Sequence, residues 1–166
     1  MKNPFAPARL PRQEWVPLVL RLVTGFGFLA HGVAKLERGP EIFGATLQGM
    51  QVPAPAVMAW LTILLEIAGG VAVLVGAAIW LFSVPLAVAL LVAVVKVHWA
   101  FGFSSIKLVA FTSAGPQFGP PGYELPLFYL ACLAALALGG PGPLSVDRAF
   151  ARRRHGPSPR QGSDHP

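Results

Sequence analysis

Four stretches of this chain are almost free of charge, and the polar residues between them mark where one stretch ends and the next begins. Val16 to Ala34 is an apolar run of roughly 19 residues in which Arg21 and His31 are the ionisable members. Wound as a helix it rises about 28 Å, close to the hydrocarbon thickness of a bilayer. The segment from Glu37 to Pro55 carries Arg38, Glu41, Gln48 and several Gly and Pro residues. It is too polar to span, but it suits a short interfacial helix over Ile42 to Met50. From Val57 to Val95 the sole ionisable residue is Glu66. That run of about 39 residues is too long for one crossing and right for two joined by a tight turn.

Gly76 permits chain reversal and Pro85 fits the first turn of a helix, so the pattern predicts helices at Val57–Val75 and Phe82–Trp99 with the turn between them. Ala100 to Gly122 reads as a polar loop. The apolar stretch Leu125 to Leu138, extended from Tyr123 toward Gly139, makes a fourth helix, which Gly139-Gly140-Pro141-Gly142-Pro143 terminates. The expected fold is therefore all-α, a membrane-spanning four-helix bundle over residues 16–150. Residues 1–15 form a cytoplasmic N-terminal segment and residues 151–166 a basic cytoplasmic tail. From Arg152 onward no aliphatic residue is available for burial, so that tail is expected to be disordered.

Composition agrees with the pattern. Hydrophobic residues make up 54% of the 166 and charged residues only 12%, against roughly 25% charged in soluble domains. The formal net charge of +6 does not point to nucleic acid, because no soluble basic face exists to meet it. The cations flank the spans instead: Lys2, Arg9 and Arg12 precede the first, and Arg148, Arg152, Arg153, Arg154 and Arg160 follow the last. This distribution places both termini in the cytoplasm and offers contacts to anionic lipid. Trp15, Trp60, Trp80 and Trp99 each fall near a predicted span end, where an amphipathic ring sits at the headgroup level. The opening residues imitate a signal peptide with an Ala30-His31-Gly32 site, yet Arg21 interrupts the run and further spans follow, which reads as an uncleaved first helix. Cys132 is the only cysteine, so thiol relay chemistry and thiolate metal clusters within one chain are excluded.

Ionisable groups at membrane depth are costly and each needs a partner or a purpose. Glu66 lies deepest, and Gly69 and Gly70 beside it let another backbone approach. It is expected to be neutral and unpartnered, with an ion-paired carboxyl that locks the bundle as one alternative and a proton-carrier or ligand-contact role as the functional one. Arg21 is expected to snorkel toward the cytoplasmic headgroups, with pairing to Glu66 as its alternative. Arg21, Gly25, Phe28, Gly32 and Lys35 share one helical stripe, which should face the bundle. At the outer end His31 and Lys35 are expected to converge with Lys96, His98 and Glu124. Such a cluster suits proton or quinone contact, metal binding or ordinary interfacial charge pairing. No HxxxH or HExxH spacing is present.

These features, in this order, resemble the DoxX family of membrane proteins over about residues 16 to 149. The resemblance rests on Arg21, Gly25, Phe28, His31-Gly32 and Lys35-Leu36 in the first helix and on Glu66 with Gly69-Gly70 in the second. Gly122-Tyr123-Glu124 opens the fourth helix, and Gly140-Pro141-Gly142-Pro143-Leu144-Ser145-Val146-Asp147 closes it. It implies a four-helix bundle in the bacterial cytoplasmic membrane that serves as an accessory or small subunit of a quinone-linked or oxidative-stress redox system. A quinone is the cofactor it admits, and a redox partner protein or a second copy are the partners besides the bilayer. With no cysteine pair here, thiol-redox chemistry would have to reside in a partner. A small transporter built around Glu66 and a lipid-interacting scaffold are the rival readings. In the closing segment Ser145 can cap a short helix whose first turn holds Asp147 against the macrodipole.

Overall fold

The computed structural model describes residues 12–154. After a 3-10 turn at Arg12–Trp15, helix α1 runs Val16–Arg38, α2 Pro40–Gly49, α3 Pro55–Val75 and α4 Ile79–Ala93. Helix α4 continues through a π turn at Val94–His98 and a 3-10 turn at Trp99–Phe101. Two strands follow, β1 Leu108–Thr112 and β2 Gly115–Phe118, then α5 Glu124–Gly139 and α6 Val146–Arg154. Three helical stretches are long and apolar enough to cross a membrane: Gln13–Arg38, Pro55–Val75 and Ile79–Phe101. Helix α5 is equally apolar but has 16 residues.

Helix α1 packs most extensively on α3, α3 also on α4, α4 on α5, and α5 back on α1, while α2 lies against α3 and α1. Phe28, Val73, Ile79, Leu86, Leu133 and Leu136 fill the centre. The α1–α3 contact is made backbone to backbone. A Cβ added at Gly70 would stand 2.6 Å from the Leu29 amide nitrogen, and one at Gly25 would stand 2.7 Å from that of Leu74. Glycine at these two positions is therefore what lets the helices approach. The outward faces are apolar as well: Val19, Leu22, Val23 and Phe26 on α1, Leu81, Val84, Val88 and Leu91 on α4, and Val95 in the π turn that continues it, are exposed. Water would not tolerate such continuous faces, whereas lipid does.

The bundle has two unlike ends. The start of α1, the α3–α4 turn and α6 gather at one, here the terminal end. Helix α2, the strands and the start of α5 gather at the other, the loop end.

Three sequence expectations change. The region 100–122 is not simply a polar loop, because it contains a two-stranded antiparallel sheet, so the chain is mostly helical rather than all-α. The signal is weak: strands of five and four residues carry little periodicity. Helix α4 starts earlier than Phe82, because Gly76 (φ 69°) and Ala78 (φ 47°) reverse the chain in about three residues. Pro85 consequently lies inside α4, where it forgoes one backbone hydrogen bond. Finally, α6 carries helix through Arg154, into the segment expected as tail. Residues 155–166 lie outside those described, as do Lys2 and Arg9.

Candidate functional site

Two buried charges distinguish this bundle from a plain apolar one, and α1 carries the cation of each. Arg21 is 1% exposed. Its guanidinium has five N–H groups, and each finds a backbone carbonyl. Nε donates to Val73 (3.1 Å), one terminal nitrogen to Pro141 (2.9 Å) and Pro143 (3.1 Å), and the other to Leu74 (2.8 Å) and Leu144 (3.1 Å).

Val73 and Leu74 belong to the last turn of α3, whose carbonyls sit at the negative end of the helix dipole beyond the regular i+4 ladder, and Val73 also accepts the Gly76 amide at 3.2 Å. Pro141, Pro143 and Leu144 belong to the linker that a Pro-Gly-Pro sequence keeps from becoming helical. The expectation that Arg21 snorkels to headgroups is thus corrected: the chain brings the acceptors to it. Gly76 makes room, since a Cβ there would lie 2.7 Å from the guanidinium carbon. The signals that could have revealed this cage are α3 ending one turn from Arg21's level and the helix-breaking linker after α5.

Beside the cage, Ser145 Oγ accepts the Arg148 amide at 3.2 Å and caps α6 as its sequence suggested. Asp147 accepts the Ala78 amide at 2.9 Å and donates its own amide to Gly76 at 3.1 Å. Arg148 pairs with Glu14 at 2.8 Å. These contacts seat α6 across the α3–α4 turn. An open groove of about 640 Å³ lies there, lined by Glu14, Pro17, Pro141, Gly142 and Arg148 among others.

Toward the loop end, Lys35 Nζ reaches both carboxylate oxygens of Glu66. Helical side chains lean toward their own N-terminus. In this antiparallel pair Lys35 therefore leans into the bundle while Glu66 leans out toward the loop end. Gly32 opens the path, because a Cβ there would stand 3.0 Å from that of Glu66. The Glu66 side chain is 11% exposed and that of Lys35 27%, and the ammonium also stands 5.0 Å from the Phe43 ring centroid of α2. Glu66 is therefore neither solitary nor paired with Arg21, as the sequence reading allowed. Its partner is Lys35, which the shared depth alone would place in the outer cluster.

The remaining members of that cluster do not join the pair. His31 is exposed, its ring edge-on to Tyr129 at 6.5 Å. Lys96 is exposed in the π turn. His98 Nδ1 lies 2.9 Å from the Pro121 carbonyl, which can only accept, so Nδ1 carries the proton. Glu124 accepts the Ser105 amide at 3.0 Å. Each of these last two caps local backbone rather than facing a shared pocket. Among the described residues no group of three or more His, Cys, Asp or Glu could hold a metal.

A family model described as DoxX matches residues 16–99, the half of the chain that carries Arg21, Lys35 and Glu66. No curated protein and no solved structure matches.

Proposed function

The chain belongs to the DoxX family, and from that premise we propose that it is a non-catalytic subunit of a quinone-linked redox system in the bacterial inner membrane. In this reading residues 16–150 form one domain in which α1, α3, α4 and α5 cross together as a four-helix bundle. Helix α5 alone rises about 24 Å, and Tyr123, slight bilayer thinning or both make up the difference. The observation that carries the functional part is the Lys35–Glu66 pair, set between apolar helices with Lys35 a quarter exposed.

A quinone headgroup offers two carbonyl acceptors and must be met at membrane depth by a donor reachable from lipid. Lys35 has three N–H donors, more than Glu66's two oxygens require, and Phe43 beside it is a surface on which a ring can stack. Quinone retained at near-stoichiometric level in gently solubilised protein, and several-fold less in Lys35→Gln of unchanged helicity, is the expected result. Protein that carries neither quinone nor a redox partner would sink the proposal.

The same reading places both termini in the cytoplasm, because Arg148, Arg152 and Arg153 crowd the terminal end while Glu37, Glu41 and Glu124 offset the cations of the loop end. Reporter fusions at the N-terminus, near Trp80 and after Arg154 are expected to report cytoplasm, and insertions at Glu41 and Gln117 the outside. An external C-terminal fusion would refute this orientation.

A further inference from the structure

The hairpin between α4 and α5 plays no part in either buried charge site, and its construction is unusual for a loop. Its base is firmly tied. Gly122, Tyr123 and Glu124 donate their amides to the carbonyls of Ser104 (2.9 Å), Gly102 (3.0 Å) and Phe103 (2.9 Å). Ser105 Oγ caps α5 by accepting the Leu125 amide at 3.0 Å. Trp99 stacks on Tyr123 with ring centroids 5.4 Å apart, and Phe103 meets Tyr123 edge-on at 5.7 Å. Amphipathic aromatics at the mouths of two apolar helices mark the headgroup level.

Above that base β1 and β2 pair antiparallel, Leu108 opposite Phe118 and Phe111 opposite Pro116. Every residue of β1 is exposed, and Ile106 (76%), Val109 (70%), Phe111 (76%) and Phe118 (60%) lie open. No residue from Leu108 to Tyr123 is charged. A two-stranded hairpin without a core is marginal in water, and the bulged register sets Leu108, Phe111, Pro116 and Phe118 on one face and Ala110, Thr112 and Gln117 on the other, so the first face needs an apolar medium against it.

We propose that this hairpin lies in the headgroup–acyl boundary of the leaflet at the loop end, with Leu108, Phe111 and Phe118 in contact with lipid. Two observations favour lipid over a protein partner. The hairpin is continuous with the membrane-spanning stretch Ile79–Phe101 through the aromatic base. Its lack of charge offers no complementarity to a polar partner but suits the interface. The open strand edges set the depth: their unpaired N–H and C=O groups find water and headgroups at the boundary, and would find none in the hydrocarbon centre.

The test uses full-length protein carrying Cys132→Ser and Phe111→Cys, labelled at the new thiol with an environment-sensitive nitrobenzoxadiazole dye. It is reconstituted into phosphatidylethanolamine–phosphatidylglycerol vesicles. The expected result is blue-shifted emission, quenching by lipids bearing a nitroxide near the headgroup, and several-fold less quenching by aqueous iodide than the free dye–cysteine adduct shows. Iodide quenching equal to the free adduct would overturn the proposal. So would protection from both quenchers, which would mean that a second copy or another protein covers the hairpin. Phe111→Trp in brominated lipid, read against the four native tryptophans, gives the same depth measurement without replacing Cys132.

Discussion

Arg21→Ala is expected to be the most damaging single substitution in the bundle, lowering stability by about 4 kcal/mol or more and sharply reducing accumulation in the membrane. The reason is the number of groups it strands. All five guanidinium N–H groups are matched to five carbonyls in a site 1% exposed, and each abandoned buried acceptor costs about 1–3 kcal/mol before relaxation. Three of the five acceptors lie in the α5–α6 linker, so the loss has a place as well as a size. Residues 141–144 and the seat of α6 should loosen while the α1–α3 contact at Gly25 and Gly70 persists. Arg21→Lys keeps the charge but offers three donors in place of five, in a geometry that cannot reach both helix and linker. Its expected loss is about half that of alanine. Thermal or denaturant unfolding in detergent measures the size, and hydrogen exchange over residues 141–154 measures the place. A loss below about 1 kcal/mol for alanine would show that the cage does not stabilise the fold.

Much of this architecture is visible in the order of residues, and what is hidden has a common physical origin. Nearly uncharged runs of spanning length announce α1, α3 and α4, because in a bilayer only a helix of that length satisfies its own backbone. The stripe Arg21, Gly25, Phe28, Gly32 and Lys35 shows which face of α1 turns inward, and the first four of these are buried. What each cation meets is not visible. The acceptors around Arg21 are main-chain carbonyls, which every residue possesses, so only their position at a helix end and in a Pro-Gly linker could have flagged them. The partner of Glu66 depends on the register of α1 against α3, and that register is set by glycine-to-backbone contacts rather than by charge. A cluster expected from shared depth alone dissolved for the same reason. His98 and Glu124 are drawn to nearby backbone groups, while Lys35, leaning back along its helix, reaches Glu66 instead.

The Lys35–Glu66 pair makes the second large expectation, and a double-mutant cycle isolates it. Each single change strands a charge at a helix interface. Lys35→Gln leaves Glu66, 11% exposed, without its cation, and Glu66→Gln leaves Lys35, 27% exposed, without its anion. Breaking a fully buried pair costs about 3–5 kcal/mol. Lys35 is open enough to turn toward the loop end and recover part of that, so Glu66→Gln should cost less than Lys35→Gln, about 1–2 against 2–3 kcal/mol. The double replacement removes both charges and is expected to be milder than the sum by more than about 1 kcal/mol. The same cycle run between Glu66 and Arg21 should be additive within about 0.5 kcal/mol, since the two share no partner. Coupling in the second cycle and none in the first, measured by unfolding in detergent, would mean that Glu66 answers to Arg21 after all and that the contact with Lys35 carries no energy.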